Sequence, residues 1–212
     1  MNLALIPARG LSDRIPYKNL IEFHGKPLIE WTISAAMQSG VFDAILVSTE
    51  DSRIEHVSKL TGAGVLRRPA ELAQSETPTW EVVKHAFAAI KPKLLILLQP
   101  TSPLRTAEDI CNCIDLFDRS GGDSVISVTQ GQDVAAKILF ESGGHYGRLR
   151  PVTGKRENGA IYGITSYAFA EGHDWYSGVA YGYEMPEDRS VDIDTLKDLE
   201  IARRLMARRE AA

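Results

Sequence analysis

Cysteine is nearly absent from this chain of 212 residues: Cys111 and Cys113 are the only two, spaced C-x-C in the helical-looking stretch AEDICNCIDLFDRS. Positions i and i+2 of a helix point in different directions, so both read as reduced thiols, at least one of them in the core. The five histidines (His24, His56, His85, His145, His173) form no H-x-x-x-H or other close ligand spacing, which leaves a catalytic zinc without support. No apolar run approaches the roughly 20 residues that a membrane helix needs. Residues 1 to 7 are too short and too uncharged at the start for a secretory leader, so a cytoplasmic protein with no membrane partner is expected. An excess of basic charge is missing too. The formal net charge is -4, with acids and bases mixed along the chain, which argues against a nucleic-acid or lipid-binding surface and makes any basic cluster local.

What is present is one core's worth of apolar residues, 44% of the chain, arranged in alternation. Apolar runs at LALIP (3 to 7), AILVS (44 to 48), LLILL (94 to 98) and SVISV (124 to 128) are bounded by turn signals. Helical periodicity fills the gaps: PLIEWTISAAMQSG, with Pro27 in the first turn and Gly40 at the end, then 51 to 62, 78 to 90 and 106 to 120. Strands without alternation, separated by helices, predict a doubly wound α/β fold with a mostly parallel sheet in a single domain spanning 1–212. After about residue 130 the composition shifts to Gly and basic residues, then to AIYGITSYAF and DWYSGVAYGYEM, which hold seven of the sixteen aromatics. Residues 138–185 or so therefore read as a small added lobe, serving as a second core layer, a sugar pocket or a subunit interface. The chain closes on an amphipathic helix whose basic second half complements the helix dipole.

In a doubly wound sheet the ligand crevice lies beyond the carboxyl ends of the strands. After the first run comes ARGLSDRIPYKN, which contains neither G-x-G-x-x-G nor G-x-x-x-x-G-K-[ST]. Gly10 and Ser12 allow close backbone approach while Arg9 and Lys18 supply charge, a combination that suits a nucleoside triphosphate as well as it suits a solvated loop. Near the other end, SVDIDTLKDLE sets Asp192 and Asp194 two apart in an extended segment, so that both carboxylates lie on one face and suit Mg²⁺. Asp194 also reads as the N-cap of the final helix. A basic loop and a carboxylate pair at one sheet edge describe metal-assisted phosphoryl or nucleotidyl chemistry.

The stretches IPARGLSDRIPYKN, RRPAELAQSETPT, LLQPTSPLR with NGAIYG, and SVDIDTLKDLE, in this order, resemble the CMP-sialic acid synthetases, or N-acylneuraminate cytidylyltransferases, and their relatives acting on pseudaminic and legionaminic acids. The resemblance implies a Rossmann-like nucleotidyltransferase fold, a homodimer, Mg²⁺, and the reaction of CTP with a nine-carbon 2-keto sugar acid to give the CMP-sugar and pyrophosphate. It implies triphosphate binding by Arg9 and Lys18, nucleotide contacts from Asn19, and cytosine contacts from Arg68 and Thr79. Gln99, Arg105, Lys137, Arg156, Asn158 and Tyr162 fall at sugar-binding positions, and Asp192 and Asp194 at metal-binding ones. Alternatives are a 3-deoxy-manno-octulosonate cytidylyltransferase and a non-catalytic nucleotide or sugar binder.

Two departures from that pattern stand out. Asp13 occupies a position where many members of the family carry Lys. It is expected to face solvent or pair with Arg14, with addition to the metal site or weakened nucleotide binding as the other accounts. The stretch between Lys137 and Asn158 is shorter than in the family, leaving Arg148 or Arg150 as substitutes for a sugar-site arginine.

Overall fold

The structure, a computed structural model, describes residues 1–131 and 155–211. In chain order the elements are β1 (Asn2–Pro7), a short hairpin of β2 (Glu22–Phe23) and β3 (Lys26–Pro27), α1 (Leu28–Ser39), β4 (Ala44–Thr49), α2 (Ser52–Thr61), β5 (Gly64–Arg67), α3 (Thr79–Ile90), β6 (Leu94–Leu98), α4 (Ala107–Ser120), β7 (Ser124–Gln130), β8 (Lys155–Thr165), α5 (Ser166–Ala170), β9 (Ala180–Glu184) and α6 (Leu196–Glu210). Each apolar run became a strand and each periodic segment a helix. Local chemistry sets their ends: the Asp51 carboxylate accepts from the amides of Arg53 and Ile54 at 2.8 and 3.3 Å to start α2, and Gly40, at φ 66°, ends α1. Pro27 is the N-cap of α1 instead of a first-turn residue, because its ψ of 140° is still extended.

Among the described residues, seven strands form one sheet in the order β5-β4-β1-β6-β8-β7-β9. β4, β1 and β6 pair in parallel, as do β4 with β5 and β7 with β9, whereas β8 runs antiparallel to both its neighbours. Of the residues expected in the added lobe, 155–165 form a strand inside the main sheet and 180–184 its edge, so Tyr162, Tyr181 and Tyr183 belong to the sheet while Tyr167 and Phe169 lie in α5; residues 138–154 lie outside the described ones. Gly163 explains part of the composition, since a Cβ there would come 2.6 Å from Val125 Cγ1 and 2.7 Å from Ile96 Cδ1. β8 also departs from regular pairing. Ile126 faces Tyr162 and Val128 faces Glu157, so two steps along β7 correspond to five along β8 and a bulge accommodates the excess.

Both faces of the sheet are covered. α1, α2 and α4 pack Ile29, Ile33, Ile54, Ile110, Ile114 and Phe117 against Ala4, Ile6 and Ile96 on one side. On the other, Val82, Val83, Ala86 and Phe87 of α3 meet Leu3, Leu5, Leu95, Leu97, Ile126 and Tyr162. A third cluster of Ile15, Phe23, Leu28, Leu104, Ile193, Leu199, Ala202 and Met206 fastens α6 to the loop after β1. Every residue of β6 is buried, and each such aliphatic side chain contributes about 1.5–3 kcal/mol of burial. That rigid strand ends where the ligand crevice of such a sheet begins.

Candidate active site

Beyond the carboxyl ends of β1 and β6 lies a cleft of about 360 Å³. Arg9, Ser12, Lys18 and Asn19 line it from the first loop, Arg68 from the β5–α3 connection, Thr79 from the first turn of α3, Gln99 and Thr101 from the turn after β6, and Asp192 and Asp194 from the approach to α6. The apolar Ile15 and Ile193, both buried in the third cluster, pin the two charged segments side by side.

Within the first loop, the Asn19 side-chain amide donates to the Arg9 carbonyl at 3.0 Å and so shapes the turn from inside. Lys18 Nζ crosses to the other segment, donating to the Ile193 carbonyl at 2.8 Å and to Asp194 at 3.2 Å. Arg14 donates to the second oxygen of Asp194 at 3.0 Å. Asp194 is not the helix cap. Thr195 and Asp198 form a reciprocal capping box at the start of α6, which leaves the Asp194 carboxylate to the two cations.

Asp192 is the opposite case. Its segment is not part of a strand; Ile193 turns into the core while Asp192, mostly buried, keeps its Oδ1 without any hydrogen-bond partner among the described residues. Burial raises the proton affinity of the carboxyl, and the charge of Asp194 adds to this, against the Thr101 hydroxyl and Lys18. Gly159, at φ +76°, closes on the other side: a Cβ there would lie 3.2 Å from Asp192 Oδ2. A buried carboxylate oxygen with no protein donor is what a hard cation needs. Among the described residues no group of three or more His, Cys, Asp or Glu could hold a metal, so the protein offers a carboxylate pair and leaves other positions to water or phosphate oxygen.

Residues 3–137 match the sequence model of the cytidylyltransferases. The chain belongs to the cytidylyltransferase family. It is 33% identical to the N-acylneuraminate cytidylyltransferase B of Danio rerio over 97% of this chain and 51% of that protein. With the pseudaminic acid cytidylyltransferase of Campylobacter jejuni it shares 29% identity over 95% of this chain and 94% of the other. The chain thus spans about half the length of the N-acylneuraminate cytidylyltransferases it matches. In fold it is similar to a solved CMP:2-keto-3-deoxy-manno-octonic acid synthetase complexed with CTP, with a TM-score of 0.75, 16% identity, and coverage of 98% of this chain and 99% of that one.

Asp13, the departure from the pattern of these cytidylyltransferases, neither pairs with Arg14 nor stands alone in solvent. Its Oδ2 accepts from Arg9 Nη2 at 3.1 Å and its Oδ1 from the Ser75 hydroxyl at 2.9 Å, so one carboxylate ties two walls of the cleft together. The Ser75 hydroxyl first, and Arg9 next, hold its carboxyl below the usual carboxylate range. A triphosphate bound at Arg9 would have to compete with Asp13 for it. Asp13→Lys is therefore expected to lower the KM for CTP about two- to fivefold, the scale of an exposed ion pair. An increase measured in steady-state kinetics would instead assign the carboxylate a supporting role.

Not every expected residue reaches the cleft. Gly10 lies behind it, its amide donating to Glu50 at 2.6 Å, and a Cβ there would come 2.4 Å from Asp51 Oδ2. Arg105 is buried and its proton affinity is pushed down to about 10 by that burial; it donates to the carbonyls of Gln99 and Ala160 at 3.3 and 2.8 Å and to the Thr32 hydroxyl at 2.8 Å, joining the β6 turn to β8. Asn158 is equally committed, accepting from Ser127 Oγ at 2.6 Å and donating to Ser190 Oγ at 2.9 Å, which clamps the β8 bulge. Arg156 is exposed beside Gly131 and Tyr162 donates to Glu157 at 3.2 Å. Lys137, Arg148 and Arg150 lie outside the described residues. Conversely, Leu72, Gln74, Ser75, Thr77 and Thr101 line the cleft without a role expected from the sequence; the polar stretch between β5 and α3 was the available signal for the first four, and the turn after β6 for Thr101.

Proposed function

We propose that this chain transfers a cytidylyl group from CTP to the anomeric hydroxyl of a nine-carbon 2-keto sugar acid, releasing pyrophosphate. The observation that carries the reading is the convergence of Arg9, Lys18, Asp192 and Asp194 on one cleft. The names of the relatives support the substrate class, and the same reading takes a cytoplasmic homodimer.

In this reading Arg9 and Lys18 meet the triphosphate, where their charge offsets what accumulates on departing pyrophosphate. Ser12 and Asn19 shape the phosphate loop. Arg68 and Thr79 face the nucleoside; the guanidinium of Arg68 is already held by the Ser48 carbonyl at 2.7 Å, so it presents a fixed edge and not a mobile charge. Gln99 looks to the acceptor, and Asn158, Tyr162 and Arg105 support that side of the site through β8. Asp192 and Asp194 would hold Mg²⁺, which when bound supplies positive charge against the phosphate oxygens. Lys18 then shares Asp194 and keeps its ammonium beside the leaving group. Arg14 holds the outer oxygen of Asp194 in place.

The test is pyrophosphate release with Mg²⁺ from CTP, UTP, ATP or GTP across N-acetylneuraminic, legionaminic, pseudaminic and 3-deoxy-manno-octulosonic acids. Release with CTP and one nine-carbon acid is expected. Release with the eight-carbon acid alone would overturn the substrate class, and silence from folded protein that still binds CTP would leave a nucleotide binder.

A further inference from the structure

The bulge in β8 gathers a side-chain cluster around Glu157, a residue to which the reaction described above gives no role. Glu157 and Tyr162 are five apart, which in a regular strand puts them on opposite faces. Because Val128 and Ile126 are their respective partners across β7, the bulge returns both to the same face. There the Tyr162 hydroxyl donates to Glu157 Oε2 at 3.2 Å and the Tyr176 hydroxyl donates to the same oxygen at 2.9 Å. Oε1 has no hydrogen-bond partner among the described residues. Burial, reinforced by the Glu157 charge, keeps both phenols protonated, so they remain donors and hold the carboxylate in one orientation.

The position of this cluster relative to the cleft is specific. Asp192 separates the two: Lys18 and Thr101 act on it from the cleft, and Gly159, two residues beyond Glu157, closes on it from β8. The charge of Asp192 is also felt at the Tyr162 hydroxyl. An aromatic wall runs onward, with Tyr162 and Trp175 centroids 5.5 Å apart and Trp175 and Trp80 5.2 Å apart, and Trp80 adjoins the cleft residue Thr79. A molecule meeting the nucleotide at Asp192 from the β8 side therefore extends toward Glu157. A fixed negative charge there repels a triphosphate and a sugar carboxylate alike, and suits the part of the acceptor that carries neutral donors.

We infer that Glu157 is a specificity-determining residue: its Oε1 accepts a hydrogen bond from a hydroxyl or amide N–H of the sugar acid, remote from the reacting carbon, while Tyr162 and Tyr176 position it through Oε2. The inference rests on the proposed reaction. Its experiment compares wild type with Glu157→Gln and Tyr176→Phe in pyrophosphate release, using the nine-carbon acid that wild type turns over and deoxy or deacylated analogues of it. Glu157→Gln is expected to raise KM for the acid about ten- to a hundredfold, the range of a hydrogen bond to a charged group, with kcat and KM for CTP nearly unchanged. One analogue should cost wild type as much as the substitution does and be indifferent to it. Tyr176→Phe should move KM for the acid in the same direction by less, again without kcat, a split that general loosening of the fold would not produce.

An unchanged KM for the acid in Glu157→Gln, or parallel rises for acid and CTP, overturns the inference while the reaction itself stands. Should Glu157→Gln not fold, Tyr176→Phe decides by the same two criteria. If wild type releases pyrophosphate with none of the acids, the proposed reaction fails first and the role of Glu157 fails with it.

Discussion

Asp192→Ala should reduce pyrophosphate release by about a thousandfold or more, the equivalent of the several kcal/mol that a bound metal and its ligands contribute to charge stabilisation. The fold should survive. Asp192 makes no hydrogen bond through Oδ1, it is mostly buried, and its charge stands next to that of Asp194, so in the free protein the carboxylate is a local cost and not a support. Thermal unfolding without metal should thus be unchanged or shifted slightly upward. Addition of Mg²⁺ with CTP should raise the wild-type midpoint and leave that of the variant in place, as expected for a ligand that binds only the native state. Activity within tenfold of wild type would remove Asp192 from the reaction.

The second large effect is on stability. Asp109, fully buried near the start of α4, receives Arg189 through two bonds of 2.9 and 2.8 Å, the Tyr183 hydroxyl at 3.1 Å, and the amide and hydroxyl of Thr106 at 2.9 Å each. One carboxylate joins α4, β9 and the turn before the Asp192 segment. Asp109→Ala leaves a guanidinium without its partner and is expected to cost about 3–5 kcal/mol, a large part of the total stability of a domain. Chemical denaturation read by circular dichroism measures it directly. The pH dependence has a definite sign. Burial would raise this carboxyl, but the bonds from Arg189 and Thr106 outweigh burial and hold it below the ordinary value of 3.8. Its contribution is then complete above about pH 4 and is lost as pH falls through the depressed folded value. Wild type should lose stability over that acidic range and Asp109→Asn should lose less. Parallel curves would show that the carboxylate is not the group that responds.

The helices and the four apolar strands were legible because burial on both faces leaves an uninterrupted apolar run and periodic helices between. β8 and β9 were not. A strand interrupted by a bulge, with Gly159 and Gly163 where neighbours close in, loses the periodicity by which strands are read, and its tyrosines then suggest a separate lobe. The basic loop and the carboxylate pair were legible as residue types, and the cleft gathers them. Their partners were not: of the two readings of Asp194, metal ligand and cap, the cap belongs to Thr195 and Asp198, which follow immediately, and Asp13 is exposed as expected but turns toward Arg9 and Ser75 and not toward Arg14. The capping pattern T-x-x-D at 106 to 109 marks a helix start, but nothing nearby announces that Arg189, eighty positions later, completes the site.

The reversed direction of β8 has an evolutionary consequence. A parallel strand reaches the crevice with its end; this one arrives with its beginning, so residues 155–162 approach the cleft from beside it, as a stretch separate from the loop at 7–19 and from residues 68–79 that line it. Variation in one stretch need not disturb the other two. On the proposed function, a lineage could change what its members accept as a substrate by drift within a single strand, and an engineer could attempt the same exchange by transplanting 155–176 between relatives, leaving the loop at 7–19 and residues 68–79 intact.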